Sequence, residues 1–217
     1  QQIYVGIDAS RLSSRTVRTN GATDAPADSS TQLERFISAA LTLALVAEKQ
    51  GDLFGLIVFH DKVQSFIRAG KGKAHYNICR DTLYSLQPKM VNPDFNEVNS
   101  FIRLKLRRRS LLIFLTNLDD PVLSENFAND LDILSRHHVV LVNMLKTPLL
   151  APLFSNADVT EVDHLYQRLA GHLQLQKLRE VEKTLQRRGV TLSLQDNEMM
   201  CAHMVSQYIN VKRRQLL

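Results

Sequence analysis

Hydrophobic residues along the chain fall into short continuous runs, separated by longer segments in which they recur every three or four positions. The short runs predict β-strands. Run 52–60 is continuous and apolar between Asp52 and His60, which indicates a strand buried on both faces, whereas run 62–68 alternates and predicts an antiparallel partner at the sheet edge. The predicted strands span residues 2–8, 52–60, 62–68, 110–116, 138–145 and 190–195.

The longer segments have the spacing of amphipathic helices. Pro121 follows two aspartates, a favourable helix start, and Gly171 marks a point where a long helix could divide. The predicted helices span residues 33–49, 75–86, 94–106, 121–136, 160–188 and 198–214. Strands alternating with helices predict one domain over residues 1–217 with a three-layer α/β/α fold. Its doubly wound, six-stranded sheet is mostly parallel, with one antiparallel edge strand.

Residues 14–31 form a polar segment rich in small residues, with glycine and proline among them. We expect a mobile loop inserted between the first strand and the first helix. The chain begins at Gln1, without a methionine and directly in a predicted strand. We therefore interpret it as the C-terminal part of a longer protein.

The composition narrows the classes of partner. The net charge is +5 and the isoelectric point is about 9.3, a mild excess that suits acidic partners. Aromatic residues make up 6% and tryptophan is absent, which leaves no stacking surface for single strands, so we expect no nucleic-acid partner. Cys79 and Cys201 lie far apart without a CxxC pair, which argues against a zinc site or disulfides and favours a cytoplasmic compartment.

Candidate chemistry lies where the parallel strands end, because ligands of open α/β sheets bind beyond the carboxyl ends of the strands. Asp8 ends the first predicted strand, and Ser10 comes two residues after it. Asn117 follows the fourth predicted strand. The helix over residues 94–106 opens at Asp94. We expect these four side chains to converge, and their oxygen atoms suit Mg²⁺ or Mn²⁺.

Further charged residues flank this predicted site. Arg11 and Arg15 would form a positive rim that can bind an acidic group of a partner directly. Asp119 and Asp120 suit the N-terminus of the next helix better than a metal site, and Asp119 is also a candidate partner-binding residue.

Four ordered segments resemble the von Willebrand factor A-like domain and, more narrowly, the bacterial family called "domain of unknown function 58". These segments are DASR (8–11), EKQGDLFGLIVFHDKV (48–63), LRRRSLLIFLTNLDD (106–120) and LSRHHVVLVNM (134–144). The resemblance implies strand order 3-2-1-4-5-6 and protein binding, often through a metal, without catalysis. It also implies a domain of a membrane-anchored protein that works beside a MoxR-type AAA+ ATPase.

The metal motif of that domain is incomplete in this chain. The motif is Asp-x-Ser-x-Ser, with a threonine in a second loop and an aspartate in a third. Leu12 stands at the second serine position, and Ser13 comes one place late. Asp94 follows a proline where the threonine is expected, and Asn117 replaces the aspartate. We expect a degenerate metal-ion-dependent adhesion site with fewer anionic ligands.

Three interpretations stay open at this point. The first is an interaction module that binds an acidic partner group at the degenerate site, with a MoxR-type ATPase as the first candidate. The second is a metal-dependent hydrolase or nuclease, in which Asp8, Asp94 and Asp119 would hold the metal. The third is a metal-free scaffold. We find no catalytic residue set, and the basic cluster at residues 103–109 is the alternative docking surface.

Overall fold

A six-stranded sheet forms the centre of the molecule, whose computed structural model describes residues 1–17, 30–118, 120–146 and 162–215. Its strands are β1 (Gln2–Asp8), β4 (Leu53–Phe59), β5 (Val63–Gly70), β6 (Leu111–Leu115), β7 (Val139–Leu145) and β8 (Thr191–Gln195). Two short strands, β2 (Thr16–Val17) and β3 (Ser30–Thr31), pair with each other outside this sheet. They lie in the order β5-β4-β1-β6-β7-β8, and all neighbours are parallel except β4 and β5. This order and the antiparallel edge strand confirm the predicted von Willebrand A-like fold.

Helices cover both faces of this sheet. They are α1 (Gln32–Lys49), α2 (Lys73–Tyr84), α3 (Phe95–Lys105), α4 (Pro121–His137), α5 (Val162–Arg187) and α6 (Met200–Arg213). Successive side chains of β1 point to opposite faces, so Ile3 and Val5 belong to one apolar cluster and Tyr4 to the other. The first cluster packs under α1, α2 and α6, and the second packs under α3, α4 and α5. The helix α5 continues through Gly171, so the expected division there is wrong.

Local sequence explains where two of these helices begin. Thr31 and Glu34 form a reciprocal capping box at the start of α1. Asp120 accepts hydrogen bonds from the N–H groups of Val122 and Leu123, which confirms its predicted role as the N-cap of α4. Its neighbour Asp119 lies outside the described residues.

The predicted loop at residues 14–31 falls partly outside the described residues, which exclude 18–29, so its mobility stays a prediction. Its described ends have structure that the sequence patterns did not predict. A 3-10 helix spans Arg11–Ser14, and β2 (Thr16–Val17) pairs antiparallel with β3 (Ser30–Thr31). These contacts hold both ends of the segment close together beside the start of α1.

A cluster of phenylalanine rings fixes α3 and α4 on the sheet. The Phe95 ring lies 4.5 Å from that of Phe127 and 6.1 Å from that of Phe59, measured between centroids. Phe114 contacts Phe59 and Phe127 in edge-to-face geometry. Because Phe95 is the first residue of α3, this packing sets the position of the preceding Asp94.

Candidate functional site

The carboxyl edge of the sheet, where β1, β4 and β6 end, is organised around Asp8. Asp8 is the last residue of β1 and is fully buried. Its Oδ1 accepts a 2.9 Å hydrogen bond from the Ser10 backbone N–H, and its Oδ2 accepts a 2.6 Å hydrogen bond from the Thr116 hydroxyl. Because Thr116 directly follows β6, this carboxylate ties the ends of two adjacent strands together.

The electrostatic environment of Asp8 is only partly compensated. Burial raises the pKa of this carboxyl above its ordinary value of 3.8, because the charged form loses its hydration. Hydrogen bonds from Thr116 and Ser10 lower the pKa, and His60 adds a smaller contribution in the same direction. The loss of hydration outweighs these favourable interactions, so keeping the charged Asp8 carboxylate here lowers the stability of the folded protein.

The turn after Asp8 is held by serine side chains. The Ser10 Oγ accepts a 3.3 Å hydrogen bond from the Leu12 N–H, and the Ser13 hydroxyl donates to the Ser10 carbonyl at 2.8 Å. Leu12 and Ser13 are buried, whereas Arg11 is exposed. Leu12 therefore packs in the core at the position where the related motif has a serine ligand. Arg11 extends into solvent from a hydrogen-bonded turn.

The loop preceding α3 is bound to this turn. The Arg11 N–H donates to the Val91 carbonyl at 3.0 Å, and the Lys89 N–H donates to the Ala9 carbonyl at 2.7 Å. The Arg11 side chain also donates from Nε to the Asn92 Oδ1. These bonds hold the second loop against the end of β1 without using Asp8.

Asp94 serves as a helix cap. It is exposed, and its Oδ1 accepts a 3.1 Å hydrogen bond from the Glu97 N–H at the start of α3. Its own backbone N–H donates to the His60 carbonyl at 3.0 Å. Burial, followed by the negative charge of Asp94, raises the pKa of Asp130 above its ordinary value. The contacts of Asp94 thus join it to the start of α3 and to the end of β4.

The remaining predicted residues flank Asp8 in different ways. Asn117 is buried next to Thr116, and Arg15 is exposed after the 3-10 helix. Asp119 lies outside the described residues. The structure thus joins Asp8 to Ser10 directly, places Asn117 one residue from the second partner of Asp8, and leaves Asp94 on the neighbouring loop.

Two residues at this edge were missed as site residues in the sequence. Thr116 donates the shortest of the hydrogen bonds to Asp8, and His60 acts on the pKa of Asp8. A signal for His60 was available, because Asp8 pairs with Phe59 in the sheet and His60 follows at the same edge. For Thr116 the signal was its position immediately after the last apolar residue of β6.

The atoms at this edge are of the type that binds a hard cation, but few of them carry negative charge. The side-chain hydroxyl groups of Ser10 and Thr116 both hydrogen-bond to Asp8 at this edge, and oxygen is the ligand that Mg²⁺ and Mn²⁺ prefer. Across the described ranges, however, no three histidine, cysteine, aspartate or glutamate side chains group in a way that could hold a metal ion. Within the described residues, this edge therefore provides one buried carboxylate, and the oxygen atoms around it are neutral.

Comparison with known proteins agrees with this architecture. A family model described as "Protein of unknown function DUF58" matches residues 17–149. No curated protein matches the chain by sequence. Among the helices of the described residues, none has the length and hydrophobicity of a membrane-spanning segment.

Solved structures share the fold at low sequence identity. The conserved hypothetical protein BatB from Bacteroides thetaiotaomicron is 15% identical, with 98% of both chains covered and a TM-score of 0.55. The PilB minor pilin from Streptococcus sanguinis is 10% identical, covering 100% of this chain and 62% of that one, with a TM-score of 0.60. Proximal thread matrix protein 1 from the mussel byssus is 9% identical, covering 97% and 45%, with a TM-score of 0.51. At such identities these likenesses show the fold alone.

Proposed function

The chain belongs to the DUF58 family of proteins of unknown function, and from that premise we propose that it is a non-enzymatic module that binds a protein partner at the carboxyl edge of its sheet. The von Willebrand A-like fold with this family membership suggests a protein-interaction module. The observation that carries the choice of surface is the Asp8 network, whose hydrogen bonds tie the turn bearing Arg11 to the ends of β1 and β6. Preorganised side chains on a rigid scaffold are well suited to binding.

The chemistry of this edge favours an acidic partner group. Arg11 is exposed, and its Nε bond to Asn92 orients the guanidinium plane. The two Nη atoms of such a guanidinium can bind a carboxylate in a bidentate manner. Arg15 lies exposed in the same segment and extends the positive surface. Binding to such a surface weakens as salt concentration rises.

A MoxR-type AAA+ ATPase is the first candidate for the partner, because the family resemblance implies it. In the same proposal the chain is a cytoplasmic domain of a membrane-anchored protein. Asp119, which lies outside the described residues, remains a candidate partner-binding residue in this proposal.

A divalent cation is a subordinate part of this proposal. Asp8, Ser10, Asp94 and Asn117 would be the residues that hold Mg²⁺ or Mn²⁺, with Asp8 as the buried carboxylate. A bound cation would supply positive charge for the same acidic partner group. The exposed Arg11 supplies such charge from the chain itself, so the proposed binding does not depend on metal.

Binding to a purified MoxR-type ATPase, measured by interferometry, tests the surface. We expect the Arg11→Glu variant to bind about tenfold more weakly or worse, because it replaces a charge-assisted contact with repulsion. Arg80→Glu is the matched control, since Arg80 is an exposed arginine on α2 that pairs with Asp81. Equal binding of the Arg11→Glu variant and the wild type would contradict the proposed surface.

The metal part has its own test. Manganese binding to the wild type and to the Asp8→Asn variant can be followed by electron paramagnetic resonance. We expect weak binding that the variant loses, because the substitution removes the buried carboxylate. Partner binding that is unaffected by a chelator, together with a free-manganese signal that the protein does not diminish, would remove the cation from the proposal and leave the Arg11 surface intact.

A further inference from the structure

A basic groove lies at the opposite edge of the sheet, where β6 and β7 begin. We call it the amino-edge groove. It has a volume of about 580 Å³ and lies between the segment 103–109 and residues 133–138, the end of α4 and the residue that follows it. A second concavity of about 750 Å³ adjoins it and shares the segment 106–108. Volumes of this size are typical of small-ligand sites.

The lining of the amino-edge groove is strongly cationic. The described residues that line it include no aspartate or glutamate. Arg136 forms a 2.6 Å ion pair with Asp132, which accounts for one of its charges. Within the described ranges, none of the other arginines of the groove pairs with a carboxylate. These arginines are Arg103, Arg107, Arg108 and Arg109.

Helix termini explain only part of this charge. Cations are favourable in the last turn of a helix, where Arg103 stands in α3 and Arg136 stands in α4. Arg107, Arg108 and Arg109 come after the end of α3 and before β6, so neither helix requires them. Three consecutive like charges repel one another, and folding alone gives no reason to place them here.

A buried polar atom lies in the same groove. His138 is 5% exposed, and its Nδ1 has no hydrogen-bond partner among the residues that the structure describes. Burial, reinforced by the positive charges of His137 and Arg109, lowers the pKa of His138 below its ordinary value of 6.5. Buried ring nitrogens are normally hydrogen-bonded, so an unpartnered one in a concave cationic site indicates a missing polar ligand.

We propose that the amino-edge groove binds a compact phosphate-bearing anion, either free or as a lipid headgroup, with Arg107, Arg108 and Arg109 around it and His138 at its base. The planar guanidinium matches the oxygen atoms of a phosphate, and several arginines can share one multiply charged group. A compact anion can enter the groove and reach the His138 ring, whereas a carboxylate on a peptide carries one charge at a time. The site lies on the opposite edge from the Asp8 network and does not depend on the function proposed there.

Calorimetric titration of the chain with tripolyphosphate tests this site. We expect the Arg108→Gln/Arg109→Gln double variant to bind at least about tenfold more weakly, because charge-assisted hydrogen bonds are lost. An Arg80→Gln/Arg187→Gln variant, which removes the same charge from exposed positions on other helices, should bind like the wild type. Equal loss in both variants would mean that only the overall charge is recognised, and the site would be rejected.

A second set of measurements tests the chemistry. Arg109→Lys keeps the charge but loses the planar donor arrangement, so it should weaken tripolyphosphate binding and shift the His138 ring resonances less on ligand addition. Vesicles of phosphatidylcholine that contain phosphatidic acid, whose phosphomonoester can carry two charges, distinguish the sources: binding to these vesicles, with none to tripolyphosphate, assigns the headgroup. Binding to neither probe, unchanged binding in Arg109→Lys, or equally tight binding of oligoglutamate would overturn the proposal.

Discussion

At the carboxyl edge of the sheet a buried carboxylate is bonded to donors on its own loops, whereas the exposed arginines of the amino edge, apart from Arg136, have no carboxylate partner within the described ranges. Asp8 has a hydrogen-bond donor on each carboxylate oxygen, from Ser10 and Thr116. Among the described residues, the amino-edge groove combines four arginines that have no carboxylate partner with the unpartnered Nδ1 of His138. The first arrangement contributes to the structure of its own loops, while the second has no evident structural purpose.

This contrast separates two kinds of polar site. A network whose donors and acceptors are matched internally fixes a surface, so its loss should appear first as lost stability. A cluster of like charges without partners costs stability, so its loss should appear as a lost ligand and a more stable protein. Measurements of stability therefore distinguish the two edges before any partner is known.

The largest expected effect is that of Asp8→Ala. The substitution leaves the Ser10 N–H and the Thr116 hydroxyl without their buried acceptor, and each such loss costs about 1–3 kcal/mol. We expect the free energy of unfolding to fall by about 2–4 kcal/mol in urea denaturation, since relief of the buried charge offsets part of the loss. Arg107→Ala, at the amino edge, should stay within about 0.5 kcal/mol of the wild type. Similar effects of both substitutions would break the comparison.

Thr116→Val should have a smaller effect with a defined pH dependence. Burial sets the pKa of Asp8 above 3.8, and the Thr116 bond moderates that rise. Between 3.8 and the folded-state pKa the folded protein holds a proton that the unfolded chain has lost. Stability therefore falls as pH rises through this window. In the variant we expect this fall in stability to extend to higher pH. At neutral pH its free energy of unfolding should be about 1–2 kcal/mol below that of the wild type. Coinciding pH profiles, measured by urea denaturation from pH 4 to 8, would show that Thr116 does not act through Asp8.

Much of the fold could be predicted because burial leaves a direct pattern in the sequence. The apolar run predicted at 138–145 is observed as Val139–Leu145, and the helix predicted at 33–49 is Gln32–Lys49. Gly171 misled the prediction because one glycine costs a helix only about 1 kcal/mol relative to alanine. Tertiary packing outweighs that cost, and α5 continues through it.

The candidate sites were less predictable, because they depend on which way side chains turn. Sequence spacing correctly indicated that Asp8 and Ser10 lie together at a strand end, but not that Thr116 is the second donor to Asp8. Asp94 has the right place on the chain, yet its carboxylate accepts from the start of its own helix. The basic cluster 103–109 was visible in the sequence, while the groove it forms with α4 arises only from packing.

His138 provides a test of moderate size at the amino edge. Its folded-state pKa lies below its ordinary value of 6.5 because of burial and the charges of His137 and Arg109. Between the two pKa values the unfolded chain binds a proton that the folded protein does not, so the free energy of unfolding rises with pH through this window. The rise is complete above about pH 6.5. We expect His138→Gln to remove this rise, as measured by thermal unfolding between pH 5 and 7.5. Saturating tripolyphosphate should weaken the rise in the wild type, and an unaffected slope would argue against contact with His138.

The smallest effects should come from two arginines of the amino-edge groove, and they should have opposite signs. Arg136 forms an i,i+4 ion pair with Asp132, so Arg136→Gln should lower the free energy of unfolding by about 0.3–0.5 kcal/mol. Arg108 stands among like charges without a carboxylate partner in the described ranges, so Arg108→Gln should raise it by up to about 0.5 kcal/mol. Both effects should shrink in high salt, because these side chains are exposed. Paired urea titrations at low and high salt can resolve the signs. A destabilising Arg108→Gln would mean that the folded protein needs this charge, and the argument that it is kept for an anion would lose its support.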